Sequence, residues 1–239
     1  MLPQVLSIQK IMLLSNLSKY IDCKKIYNLK KKEIYFNNVY SNSYYIKQSS
    51  ILIVDVNKKF KNQYIKNSIK KGAVALISNK YHKNILLPQF IVDNIDKNKN
   101  LILKKLFYMA PKNSIGITGT NGKTSTVWFA SQICYLNNIL VKSYGTLGYH
   151  INSIKKEESI LTTPDYEVLY QRSFKNKKKN SYNFIFEVSS HALKQKRLND
   201  FPIDIAAITN ISHDHLDYHK NFIDYKKSKF KLFNYHLKD

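Results

Sequence analysis

Residues 114–128, Ser-Ile-Gly-Ile-Thr-Gly-Thr-Asn-Gly-Lys-Thr-Ser-Thr-Val-Trp, gather residue types that handle phosphate. A short apolar run (Ile115, Ile117) enters a turn made of Gly119, Thr120, Asn121 and Gly122, and Lys123-Thr124 then opens a helix. Glycines let a backbone turn tightly and aim its N–H groups inward, and a helix N-terminus adds the favourable end of its dipole. In such a loop Lys123 reaches the β- and γ-phosphates and the Thr124 hydroxyl ligates Mg²⁺. The spacing G-x-x-x-x-G-K-[ST] is not met, because its first glycine falls on Ile117; nor is the run G-x-G-x-x-G, which disfavours a dinucleotide fold. The plainer reading is a Gly-rich strand-to-helix turn with a chance Lys-Thr.

Two further groups are candidates. Glu187 ends an apolar run, Phe184-Ile185-Phe186, and precedes Val188-Ser189-Ser190-His191. A carboxylate there can bind Mg²⁺ beside a phosphate loop, or it can cap the following helix. Residues 211–219, Ile-Ser-His-Asp-His-Leu-Asp-Tyr-His, concentrate His213, His215, His219, Asp214 and Asp217. Zinc is one reading, but the spacing is not H-E-x-x-H and neither cysteine is near, so one metal-ligating His among structural partners is more economical. Lys229 lies fourteen residues after His215. By position alone it reads as a solvated helix lysine.

The elements that must position these groups follow an α/β rhythm. Residues 1–110 read as a small α/β domain with strands at 51–56, 74–78 and 90–92. A helix carrying Tyr64, Ile65 and Ile69 stops at Gly72, and a second runs over 99–108 before Pro111. Residues 111–239 read as a partial P-loop-type central domain with a mostly parallel sheet. Its expected strands are 114–118, 141–144, 182–188 and 203–209, and its expected helices 124–136 and 225–237. In parallel sheets, chemistry collects beyond the carboxyl ends of the strands, which brings residues 119–124, 187–191 and 210–219 to one edge.

Composition bounds the rest. In 239 residues, 44% hydrophobic content supports a core, and no apolar run approaches the ~18 residues of a membrane span. Residues 1–17 lack a basic n-region, so no signal peptide is expected. Cys23 and Cys134, at no ligand spacing, fit a reducing cytoplasm, with Cys134 a small core residue of the helix. The net charge of +23 invites a nucleic-acid partner. However, lysine is spread through core-like and loop-like stretches alike, as A/T-rich codon bias would produce, and the run at 175–179 contains no aromatic residue, as in a solvated loop.

With those residues in place, 114–237 resembles the nucleotide-binding centre of the Mur ligases, ATP-dependent amino-acid-adding enzymes of peptidoglycan synthesis, and in particular their tripeptide-forming branch. That family's variant phosphate loop, T-G-T-N-G-K-T, is Thr118 to Thr124 here. Thr162-Thr163-Pro164, the segment Glu187 to Leu193, Thr209-Asn210, and Asp214 to His219 follow in the family's order. The resemblance implies ATP at Gly119, Thr120, Asn121, Gly122, Lys123, Thr124 and Ser125. It places one Mg²⁺ on Thr124 and Glu187, a second on His215, and a carbamylated Lys229 beside that metal. Ser43, Thr162, Thr163, Ser189, Gln195 and Arg197 match positions that contact UDP-N-acetylmuramoyl-L-alanyl-D-glutamate. The implied reaction, with Lys123, His215 and Lys229 as its catalytic residues, phosphorylates the D-Glu carboxylate. A diamino acid, meso-diaminopimelate or L-lysine, then attacks the acyl phosphate.

Departures from the family are equally specific. Its N-terminal D-S-R segment is Asn42-Ser43-Tyr44 here, and a Gly-containing uridine loop is replaced by residues 57–62, which contain no glycine. The amino-acid-selecting domain with its D-N-P-R motif is not among these residues. The expectation is therefore a shortened ligase, or a remnant or split half that needs a complementary C-terminal fragment, and no complete ligation by the 239 residues alone.

Overall fold

The computed structural model describes residues 11–30, 33–57, 62–174, 181–214 and 217–238. His215 and the lysine run at 175–179 lie outside these described residues, as does most of the 57–62 loop. The chain forms two compact units, Met1–Tyr108 and Met109–Asp239.

In the first unit, strands β1 (Met12–Leu13) and β3 (Tyr35–Phe36) pair as a short antiparallel ribbon around a 3₁₀ turn, Leu14–Lys19. Strands β2 (Cys23–Tyr27), β4 (Asn38–Tyr40), β5 (Ser50–Val54), β6 (Ala73–Ser78) and β7 (Gln89–Val92) make a five-stranded sheet, ordered β2-β7-β6-β5-β4. Only β2 runs antiparallel. All five residues of β5 are buried, as expected of a strand covered on both faces. Helix α1 (Asn62–Lys70) ends before Gly72, whose φ of +99° suits a position just past a helix terminus. Helix α2 (Ile95–Leu106) starts four residues earlier than the sequence suggests, because the Asn94 side chain accepts the Lys97 N–H at 2.9 Å.

The second unit centres on a six-stranded sheet. Its strands are β8 (Asn113–Thr118), β9 (Val141–Gly145), β10 (Gly148–Ile151), β11 (Ile154–Glu157), β12 (Asn183–Glu187) and β13 (Ile205–Ile208), in the order β11-β10-β9-β12-β8-β13. Four neighbours, β9, β12, β8 and β13, are parallel. The β10–β11 hairpin adds an antiparallel edge through Asn152 and Ser153, both at positive φ as a two-residue primed turn requires.

Successive β12 residues point to opposite faces. Ile185 joins Ile117, Val127 and Val141 under helix α3 (Lys123–Leu136), with Cys134 packed at the margin of that cluster. Phe184 and Phe186 face Phe201. Helix α4 (Tyr166–Ser173) is buried at every position, and α5 (Ser190–Lys194) is capped by the Ser189 hydroxyl, which accepts the Ala192 N–H. Helix α6 (Phe222–Lys231) begins at its Asn221 cap and turns inward Tyr225, Ser228 and Lys229 before a π-type turn, Leu232–His236. No helix among the described residues is long and apolar enough to cross a membrane.

Candidate active site

Parallel pairing sets the carboxyl ends of β8, β12 and β9 side by side, Ile117 opposite Glu187 and Phe186 opposite Tyr144. The phosphate loop leaves β8 there, turning through Gly119 (φ +148°) and Gly122 (φ +82°) into α3. The Lys123 ammonium folds back over the loop and donates to the carbonyls of Gly119 (2.9 Å) and Thr120 (2.8 Å). Burial pushes its pKa down, and the nearby Glu187 and Asp214 partly oppose that shift.

Glu187 is buried, and its carboxylate meets the loop. The Thr124 hydroxyl donates to Oε2 at 2.9 Å and the Thr146 N–H donates to Oε1 at 2.7 Å. Glu187 is thus not the cap of the next helix; Ser189 fills that place. Thr146, which carried no role in the sequence, follows β9, and its hydroxyl also approaches Thr162 at 3.2 Å. A β-carbon at Gly145 would stand 2.1 Å from Glu187 Oε1, so the missing side chain makes room for the carboxylate.

Helix α6 closes the loop from another side. Tyr225 and Lys229, one turn apart, reach consecutive loop residues: the Tyr225 hydroxyl bonds Thr120 Oγ1 at 2.9 Å and the Lys229 ammonium donates to the Gly119 carbonyl at 2.6 Å. Lys229 is 1% exposed, which overturns its reading as a solvated helix lysine. Burial, then the neighbouring Lys123 charge, lowers its pKa to about 8, against a smaller opposing pull from Asp214.

The remaining candidates divide. Thr163, Ser189 and Arg197 come together: Ser189 N–H donates to Thr163 Oγ1 (2.9 Å), and Arg197 donates to the Thr163 carbonyl (3.0 Å) and to Gln195 (2.8 Å). Gln195 in turn donates to the Tyr218 hydroxyl at 3.0 Å. Ser125 is exposed on the first turn of α3. Ser43 belongs to the first unit, where its carbonyl and that of Tyr44 accept from Lys71. Of the histidine cluster, His213 stacks on Phe222 and His219 is buried against Ser190, so both have packing roles. Among the described residues no three His, Cys, Asp or Glu side chains gather as a metal site.

The family model for the Mur ligase middle domain matches residues 117–239, which covers the loop, Glu187 and α6. The chain belongs to the Mur ligase family. Among its relatives, the UDP-N-acetylmuramoyl-L-alanyl-D-glutamate–2,6-diaminopimelate ligase of Rickettsia bellii is 36% identical over 180 residues, 74% of this chain and 38% of that protein. The enzyme of the same name from Buchnera aphidicola is 34% identical over 211 residues, 86% of this chain and 38% of that protein. A solved structure of such a ligase superposes with a TM-score of 0.59 at 25% identity, over 83% of this chain and 41% of that one. This Mur ligase chain therefore spans about two fifths of the length of the curated relatives it matches. The family's loop pattern accounts for the glycine missing at Ile117.

Proposed function

We propose that this chain binds ATP and UDP-N-acetylmuramoyl-L-alanyl-D-glutamate as part of a cytoplasmic ligase that adds a diamino acid to that dipeptide in peptidoglycan synthesis. The observation that carries this reading is the Thr124–Glu187 contact of 2.9 Å beside Lys123, inside a Mur ligase fold. Diaminopimelate is the preferred amino acid over L-lysine, because the relatives above are named for it. The basic charge is read as compositional, with no nucleic-acid partner.

The donor set fits the cofactor. A hydroxyl and a carboxylate converging on one point are the hard oxygen ligands that Mg²⁺ prefers, and the first turn of α3 offers N–H groups to phosphate. Thr124 and Glu187 would hold one Mg²⁺, and His215 with a carbamylated Lys229 would serve a second. Bound MgATP supplies the phosphoryl group that activates the D-Glu carboxylate. The protein's own contribution is positioning and charge neutralisation. Lys123 exchanges its loop carbonyls for phosphate oxygens, and Thr146 keeps the Glu187 carboxylate aimed. Thr162, Thr163, Ser189, Gln195 and Arg197 contact the muramoyl substrate. Burial of Lys229 favours the neutral amine that a carbamate requires.

Calorimetric titration with ADP, with and without Mg²⁺, tests the reading. Mg²⁺-dependent binding is expected. Salt-sensitive retention on DNA with no nucleotide binding would overturn it. Mass spectrometry of the product formed with diaminopimelate or lysine identifies the amino acid.

A further inference from the structure

Directly after β13, Thr209 and Asn210 lie along the first half of the phosphate loop. The Asn210 carbonyl accepts the Thr120 N–H at 3.0 Å. Its side chain reads both backbone groups of the next residue: Oδ1 accepts the Asn121 N–H at 3.0 Å and Nδ2 donates to the Asn121 carbonyl at 3.1 Å. A flipped amide would set donor against donor and acceptor against acceptor, so the pairing also fixes the amide's orientation. Thr209 Oγ1 donates to the same Asn121 carbonyl at 2.6 Å, and the Thr209 N–H to the Thr118 carbonyl at 3.0 Å. The approach is close: a β-carbon at Gly119 would lie 1.9 Å from Thr209 Oγ1.

These bonds sort the loop's donors. The N–H groups of Thr120 and Asn121 are turned toward Asn210. Those of Lys123, Thr124 and Ser125, in the first turn of α3, have no partner within the helix, and Gly122 at positive φ directs the chain into that turn.

We propose that Asn210 is a positioning residue that pins the first half of the phosphate loop to the end of β13 and confines backbone phosphate recognition to Gly122, Lys123, Thr124 and Ser125. In this way the loop holds its shape although Ile117 stands where the standard spacing has a glycine. The proposal deepens the nucleotide-site reading and rests on it for the ligand, but the loop's internal bonding can be measured without one.

Amide hydrogen exchange resolved by NMR, together with ADP affinity, tests it. In the ligand-free protein the Thr120 and Asn121 amides are expected to exchange slowly and those of Gly122 and Lys123 fast. Saturating MgADP should slow the second pair and leave the first unchanged. Asn210→Ala should accelerate Asn121 exchange and weaken ADP binding about 10-fold, the scale of one backbone donor left misdirected. Asn210→Asp, which places a carboxylate oxygen against the Asn121 carbonyl, should bind ADP no better than the alanine variant. A purely structural asparagine would lower thermal stability and leave the ADP affinity of the folded protein unchanged; that result overturns the proposal. So does fast Asn121 exchange in the wild type, a measurement that stands even where a variant fails to fold. If the wild type binds no ADP, the nucleotide reading fails, and ligand-free exchange in wild type and Asn210→Ala still decides whether Asn210 holds the loop.

Discussion

Among the described residues of the second unit two lysines are almost fully buried, and their surroundings differ in how well each charge is satisfied. Lys142, on β9, is 7% exposed, and its ammonium donates to the carbonyls of Arg172 (2.9 Å), Ser173 (3.3 Å) and Phe174 (3.5 Å) at the end of α4. Those carbonyls are left over at a helix C-terminus, where positive charge is favoured. Lys229 is 1% exposed and donates to one carbonyl, Gly119, which the Lys123 ammonium also uses. Each has a tyrosine ring under its ammonium, Tyr182 at 4.7 Å and Tyr225 at 4.5 Å, so the aromatic contact does not distinguish them. An ammonium has three protons to place. Lys142 finds three oxygens, two of which also accept from the Tyr149 and Tyr182 hydroxyls; Lys229 finds one, shared with a second ammonium whose like charge outweighs the pull of Asp214. Burial alone does not favour a neutral lysine, whereas burial with too few acceptors does, which is the condition the role proposed for Lys229 needs.

The largest effect should come from Lys123, which shares the Gly119 carbonyl with Lys229. Lys123→Ala is expected to weaken ADP binding about 100-fold, since a charge-assisted contact to phosphate disappears from a partly buried site. Titration calorimetry reads it directly, and an affinity within about twofold of the parent would end the phosphate-cradle assignment.

Methionine replacements compare Lys142 and Lys229 head to head. Lys142→Met should cost about 3 kcal/mol in denaturant unfolding, because the carbonyls at the end of α4 lose a charged donor and keep only the Tyr149 and Tyr182 hydroxyls, while ADP affinity stays put. Lys229→Met should cost little or raise stability, since it removes an under-satisfied buried charge. Equal losses in the two variants would break the distinction.

How much of this was legible beforehand depends on how local each signal is. The strands buried on both faces, such as Phe184-Ile185-Phe186 in β12, announce themselves as apolar runs. The phosphate loop is equally readable, because its glycines and Lys123-Thr124 are contiguous. The β10–β11 hairpin was not expected: its outer strand, Ile154–Glu157, is mostly polar and exposed, and its turn is Asn-Ser, with no glycine. Helix α4 is buried all round and so shows no apolar stripe. Lys229 has its meaning in a contact 110 residues away, and only the resemblance to a family pointed at it. Thr146 was missed for the same reason, although its place beyond the carboxyl end of β9 was the available clue.

Gly145 offers a finer probe of the loop side. In Gly145→Ala the new methyl group displaces the Glu187 carboxylate, which it would otherwise meet at 2.1 Å. A stability loss of about 1–3 kcal/mol is expected from overpacking, together with weaker Mg²⁺ dependence of ADP binding. An unchanged Mg²⁺ response would mean that Glu187 does not need the aim that Thr146 and Gly145 give it.

The smallest expected effect bears most directly on Lys229. Its folded-state pKa of about 8 lies below the ordinary value of 10.5, first because of burial and then because of Lys123. Below pH 8 the amine is protonated in the folded and unfolded chains alike, and the penalty for holding that charge inside is constant. Between about 8 and 10.5 the unfolded chain still binds a proton that the folded one has released, so stability contributed by this group rises with pH and then levels off. Many other groups titrate in that window, and subtracting the profile of Lys229→Met cancels those that the substitution leaves alone. The wild type should gain on the variant as pH rises from 8 toward 10. Near neutral pH roughly a tenth of such an amine is unprotonated, enough to capture CO₂, so ¹³C-bicarbonate should give a carbamate resonance that Lys229→Met lacks. A flat difference profile would mean that Lys229 keeps its proton as firmly as an exposed lysine does. One shared carbonyl would then be acceptor enough, and the contrast with Lys142 would carry no chemical meaning.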